Sequence, residues 1–150
     1  MRKLLAAAAC VLTLAVPGVS SAQQAGWQYA YVDGVATATQ SDDRGRVTAT
    51  LTCRPPTGDI VITDYTLARA ARRQTHAAVR IGAMSVNVPM QTAGRGRSAA
   101  VTINLPQRPP ILAAVQPTDQ LSVTINNQTH TYLDGGPTRM KEVAYACWGS

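Results

Sequence analysis

From Trp27 onward the chain is built of short runs in which apolar and polar residues alternate, broken at close intervals by Gly, Pro, Asn and Asp. Side chains of a β-strand point to opposite faces in turn, so this pattern predicts short antiparallel strands joined by tight turns. Residues 27–32 form the first predicted strand, and Asp33-Gly34, a dipeptide suited to a two-residue hairpin, leads into 35–40. A polar turn at 41–46 precedes 47–54, where Val47, Ala49, Leu51 and Cys53 fall on one face. Pro55-Pro56-Thr57-Gly58-Asp59 is a turn, and 60–67 is the next strand. The Ala/Arg segment 68–74 fits either a strand extension or one helical turn. Residues 75–81 and 85–90 are strands around Gly82, and Pro89, which has no N–H for a ladder, marks an edge or a strand end. A Gly/Arg loop at 93–97 opens the strand 98–105, with Ala99, Val101, Ile103 and Leu105 on one side. Residues 106–110 are irregular, and 111–115 predict a helical turn that plugs one end of the core. Strands 121–125 and 129–133 flank Asn126-Asn127-Gln128, a second hairpin signal.

The period then changes. Pro137 suits the first turn of a helix, and Met140, Val143, Ala144 and Cys147 recur at i, i+3, i+4 and i+7, with Gly149 closing the run. The apolar face of this helix ends at Cys147, while Cys53 lies on the apolar face of strand 47–54. A bridge between them would pin the helix over an open end of the β core. The fold expected is therefore mainly β, an antiparallel sandwich or open barrel with a short C-terminal helix, closed by a Cys53–Cys147 disulfide.

The first residues sharpen that expectation. Arg2 and Lys3 precede an apolar stretch from Leu4 to Val16, Pro17-Gly18 breaks it, and Ser20-Ser21-Ala22 supplies the small residues of a cleavage site. Residues 1–22 thus have the three parts of an export signal, with an apolar run shorter than the roughly 20 residues that span a bilayer. Cys10 follows three alanines but lies inside the apolar run, which argues against a lipidation site. Residues 23–150 are expected to form a single β-rich domain, not an integral membrane protein, in the periplasm or outside the cell. Two cysteines in an exported chain read as a disulfide, and closing a loop of about 95 residues contributes about 4–5 kcal/mol in the chain-entropy view. Phe is absent and aromatics are sparse, so the core must rest on Val, Ile, Leu, Ala and a few Tyr, where a covalent staple helps.

Catalytic chemistry finds little support in the order of residues. His76 and His130 stand in alternating stretches without a nucleophile or acid at a recognised spacing, and both are expected to face solvent. The carboxylates mostly occupy turns, where Asp bonds the local backbone. Asp42-Asp43 beside Gly45 resembles a fragment of a calcium loop but lacks the alternate ligands and the closing Glu. No catalytic residue, metal or cofactor is expected. Charge is the remaining feature. The formal net charge is +6; loss of Arg2 and Lys3 with the leader removes two of it. Nearly all remaining basic residues are Arg, concentrated in Arg69, Arg72, Arg73 and Arg80, with Arg95, Arg97 and Arg108 later. The first four are the expected contact surface, for an acidic protein, a glycan or lipid headgroups. Nucleic acid is not expected, since no aromatic residues interleave with these arginines to stack bases.

The C-terminal portion resembles the ending of small bacterial envelope proteins. It has a strand at Leu121-Ser122-Val123, a second at Thr131-Tyr132-Leu133, then Gly136 and a short helix carrying Met140, Val143, Ala146, Cys147 and Trp148. Trp27 and Cys53 fit the same layout. The chain is in this respect similar to periplasmic accessory proteins associated with type VI secretion and, more distantly, to invasion-associated locus B proteins. Segments 68–80 and 106–110 depart from that layout. The resemblance implies a non-enzymatic, sandwich-like envelope protein with a disulfide between elements and supplies no catalytic residues. The function expected is that of an exported binding or accessory protein; the alternative is an envelope hydrolase or enzyme inhibitor.

Overall fold

The structure is a computed structural model, and it describes residues 25–53, 58–106, 110–113 and 115–148. The leader 1–22 with Cys10, the turn residues 54–57, Arg108 and Gly149 lie outside the described residues. Among the described residues nine strands and one α-helix follow in chain order: β1 Gly26–Val32, β2 Val35–Ser41, β3 Val47–Cys53, β4 Ile60–Asp64, β5 His76–Ile81, β6 Met84–Ala93, β7 Ala100–Leu105, β8 Leu121–Ile125, β9 Gln128–Thr131 and α1 Gly136–Trp148.

The strands pair in the order β1-β2-β3-β4-β7-β6-β5-β8-β9, all antiparallel, as one sheet curled into a half-barrel. The hairpin signals act as expected. Asp33 and Gly34 have φ of 51° and 74°, and Asn126 and Asn127 of 46° and 65°, the left-handed pairs that match the twist of two-residue hairpins. Pro89 behaves differently from the expectation of an edge or strand end. β6 runs through it: residues 84–89 pair with β5 and residues 90–93 with β7. The proline stands where one partner gives way to the other, so its missing N–H deprives neither ladder of a bond.

The inward face of the sheet carries the apolar parity read from the sequence. Ile60 and Ile62 of β4, Val101, Ile103 and Leu105 of β7, Val79 of β5, and Leu121, Val123 and Ile125 of β8 are buried. Each such side chain contributes about 1.5–3 kcal/mol through removal from water. Val47 departs from its predicted face and is exposed, because the register shifts at Gln40 and Ser41 before the strand reaches Ala49. Ile111, Leu112 and Val115 are also buried, as the plug expected near 111–115 requires.

Helix α1 packs on β2 and β3 and touches β1. Beneath it β2 offers Ala36 and Ala38, and β3 offers Ala49, Leu51 and Cys53, all buried. Methyl groups on the floor let the helix approach closely, and its Met140, Val143, Ala144 and Cys147 are buried against that floor. At its start Gly136 serves the same close approach: a Cβ there would stand 3.3 Å from Leu121, tighter than ordinary contact, and 3.5 Å from the Trp27 ring. At its end Cys147 is bonded to Cys53, with Cα atoms 5.7 Å apart and the two cysteines 94 positions apart in sequence. The two periodicities, helical and strand, meet at that bond.

Replacing Cys147 by Ser is expected to destabilise the protein by about 2–5 kcal/mol, through loss of the constraint on the unfolded chain. Denaturant unfolding of C147S against the oxidised wild type reads this directly. Coincident curves would contradict it.

Candidate functional site

β4 was expected to continue to residue 67, but it ends at Asp64. The alternation Ile60, Ile62, Asp64 places this carboxylate on the inward face, where it is fully buried. A carboxylate there must be matched by donors. Oδ1 accepts from Thr66 N at 2.7 Å, Thr66 Oγ1 at 2.7 Å and Leu67 N at 2.9 Å, which turns the chain out of the strand. Oδ2 accepts from the Tyr132 hydroxyl at 2.8 Å and from His130 Nδ1 at 2.6 Å. His130 Nδ1 also lies 3.1 Å from Thr66 Oγ1. Burial by itself raises the Asp64 carboxyl, but the hydrogen bond and attraction of His130, with the Thr66 bonds, outweigh it and hold the group below the usual carboxylate range. Burial pushes the Tyr132 phenol well above its ordinary range, and the adjoining Asp64 charge pushes it the same way.

The strip that carries Tyr132 is held across the half-barrel by side chains. Leu133 N donates to Gln40 Oε1 at 2.8 Å, and Trp27 Nε1 donates to Leu133 O at 3.0 Å. Gln40 is itself buried and donates to Thr48 Oγ1 at 2.7 Å. The Trp27 and Tyr132 rings stand 6.0 Å apart, so an aromatic contact backs these bonds.

The turn that begins at Asp64 continues into the Ala/Arg segment, which forms a single helical turn: Ala71 N donates to Leu67 O at 3.1 Å. Leu67, Ala70 and Ala71 face inward and are buried, which leaves Arg69, Arg72 and Arg73 exposed. Opposite lies the loop between β6 and β7. Gly94 there has φ of 77°, and a Cβ on it would collide with the Ser98 carbonyl, so only glycine lets the chain fold back this tightly. Arg95 follows on the tip.

Between these two loops is a groove of about 810 Å³, lined by Tyr65, Thr66, Arg69, Arg72, Arg95 and a floor of small residues that includes Gly94. The structure therefore brings Arg69 and Arg72 together and adds Arg95, which the expected four did not include. Arg73 and Arg80 are exposed but do not line the groove, and Arg80 Nε donates to Gly82 O at 2.9 Å. Among the described residues, no carboxylate forms an ion pair with Arg69, Arg72 or Arg95; the pairs present are Arg46–Asp42, His130–Asp64 and Arg139–Glu142. Thr66 joins the two features, since it lines the groove and bonds both Asp64 and His130.

His76 is exposed, as expected. His130 is not a solvent-facing strand residue: its side chain is 18% exposed and bonded to a carboxylate 66 residues away. The one signal of this in the sequence was parity, an Asp at the inward position of an apolar alternation. Asp42 holds its own turn, accepting from Arg44 N and Arg46 N at 2.9 Å each. Among the described residues no helix is long and apolar enough to cross a membrane. The disulfide is compatible with an oxidising, extracytoplasmic compartment. No protein-family model matches the chain, and no curated protein or solved structure matches it either.

Asp64→Ala strands several buried donors at once and is expected to destabilise by about 3–5 kcal/mol in denaturant unfolding. Because the carboxyl is held below its unfolded value of 3.8, its contribution is full above that pH and is lost as pH falls through the folded value. The melting temperature of the wild type should therefore fall more steeply on acidification below about pH 4 than that of Asp64→Asn. Parallel acid profiles would show that Asp64 is not the titrating support.

Proposed function

We propose that this chain is an exported, non-catalytic binding protein of the bacterial envelope that takes an anionic ligand into the arginine groove. The observation that carries the reading is the convergence of Arg69, Arg72 and Arg95, from two separate loops, on one recess without ion-pairing acids among the described residues. Three guanidinium groups held unneutralised repel one another, and an anion relieves that repulsion while filling their donor forks. The basic balance of the chain, the disulfide and the leader-like start support placing this activity outside the cytoplasm. The similarity of the C-terminal layout to envelope accessory proteins supports the non-catalytic class.

A second reading has one observation in its favour. His130, oriented by buried Asp64, borders a cleft of about 330 Å³ with Asp42 and Asp43, as a general base is held in a hydrolase. Among the described residues no hydroxyl or thiol nucleophile bonds the other nitrogen of the imidazole, and Thr66 meets the nitrogen that Asp64 already occupies.

The test is calorimetric titration with a short polyanion at low salt. Combined replacement of Arg69, Arg72 and Arg95 by Ala is expected to weaken binding by about a hundredfold, roughly fivefold per charged contact. Arg73→Ala with Arg80→Ala should change it by less than about threefold, apart from a small general charge effect. Equal losses in the two variants would assign binding to overall charge and remove the groove from the proposal.

A further inference from the structure

We infer that the ligand of this groove is a carboxylated sugar chain, with Tyr65 as the surface on which a sugar ring stacks and the arginines as the carboxylate forks; the inference rests on the anion-binding reading above. Three features of the recess lead to it. Tyr65 lines the groove and remains 41% exposed, so an aromatic side chain is presented beside the cations. The C–H face of a pyranose ring is apolar and flat and fits such a ring, while an equatorial carboxylate on the same sugar lies in reach of neighbouring cations. The rest of the lining is small, with Ala68, Ala93, Ala99 and two glycines, which leaves a shallow floor without the separate deep pockets that read peptide side chains.

The same residues bear on the other anions. A phosphate cradle is built mainly from successive backbone N–H groups at a helix start or nest. Of the groove-lining residues, Tyr65, Thr66 and Ala99 have their N–H groups engaged, with Thr48 O, Asp64 Oδ1 and Gly96 O. Planar side-chain forks grip phosphate as well as carboxylate two bonds at a time, so it is Tyr65 beside them that favours a carboxylated sugar over inorganic phosphate. A surface for lipid headgroups would ring its cations with apolar side chains able to enter the bilayer. Of the large apolar side chains exposed among the described residues, Tyr65 alone lines the groove; Tyr29, Tyr31, Val32, Met84 and Tyr145 belong to other elements. At about 810 Å³ the recess has the size of a site for a small ligand, such as a few sugar units, and it is sunk between two loops instead of raised toward a plane.

The experiment is calorimetric titration of the oxidised protein with four probes at equal ionic strength: an alginate tetrasaccharide, neutral cellotetraose, tetraglutamate and inorganic phosphate, with phosphatidylglycerol vesicles tested by sedimentation. The tetrasaccharide of uronic acids is expected to bind at least about tenfold more tightly than tetraglutamate, and cellotetraose to give no binding. Tyr65→Ala should weaken the alginate probe by about tenfold and leave tetraglutamate within about twofold, while Tyr65→Phe keeps both, as stacking needs the ring and not the hydroxyl. Tyr65 is at the surface, and unchanged melting curves of the two variants confirm that the fold is intact. Tetraglutamate or phosphate binding as tightly as alginate, or indifference of alginate binding to Tyr65→Ala, would overturn the sugar assignment and leave the anion groove standing. Capture by vesicles alone would replace it with a membrane surface. If no probe binds, and the triple arginine variant matches the wild type toward all of them, the underlying anion reading fails as well.

Discussion

A buried carboxylate without donors would be one of the costliest groups a small domain could contain. Asp64 escapes that cost only because five hydrogen bonds from four residues reach it. Those donors come from two separate parts of the fold. Thr66 and Leu67 belong to the turn that leaves β4, and His130 and Tyr132 to the strip that closes the half-barrel. Satisfying one side chain therefore fixes where the arginine-bearing turn starts and how far the β9 end is drawn across the sheet. The low dielectric that makes the group dangerous also makes each of its bonds strong. The groove inherits its rigidity from this arrangement, since Thr66 is at once a wall of the recess and a donor to Asp64.

The closing of the half-barrel follows the same logic. The two edge strands, β1 and β9, do not complete a ladder with each other. Side-chain amide and indole groups do what a further row of backbone bonds would otherwise do, with Gln40 taking the Leu133 N–H and Trp27 giving to its carbonyl. Such a seam satisfies the chain without requiring the strands to be parallel in direction or equal in length, which suits a β9 of four residues beside a β1 of seven.

Much of the architecture was legible because it is encoded locally. Alternation on residues 47–54 and the 3.6-residue period after Pro137 each assign a cysteine to a buried face without reference to the other, and the bond between them follows. Turn chemistry did the same for Asp33-Gly34 and Asn126-Asn127. Pro89 misled because its lack of an N–H says only that one bond is missing, and a strand that changes partner meets that condition as well as one that ends. The site was legible in part. Arg69 and Arg72, three apart, share the outward side of one helical turn, but Arg95 reaches them through the pairing of β7 with β4 and with β6, which no local pattern reports. The Asp64–His130 contact spans 66 residues and left only the inward parity of Ile60, Ile62 and Asp64 as a trace.

The alanine floor beneath the helix has a consequence for how this protein can vary. Ala36, Ala38 and Ala49 have no exposed surface, and Met140 and Val143 above them have none either. Volume there is shared between two elements that are also tied covalently at one end, so the helix cannot slide to make room. A larger residue in the sheet would have to be accompanied by a smaller one in the helix. In related sequences these positions should therefore drift in compensating pairs, and a lone enlargement should be rare.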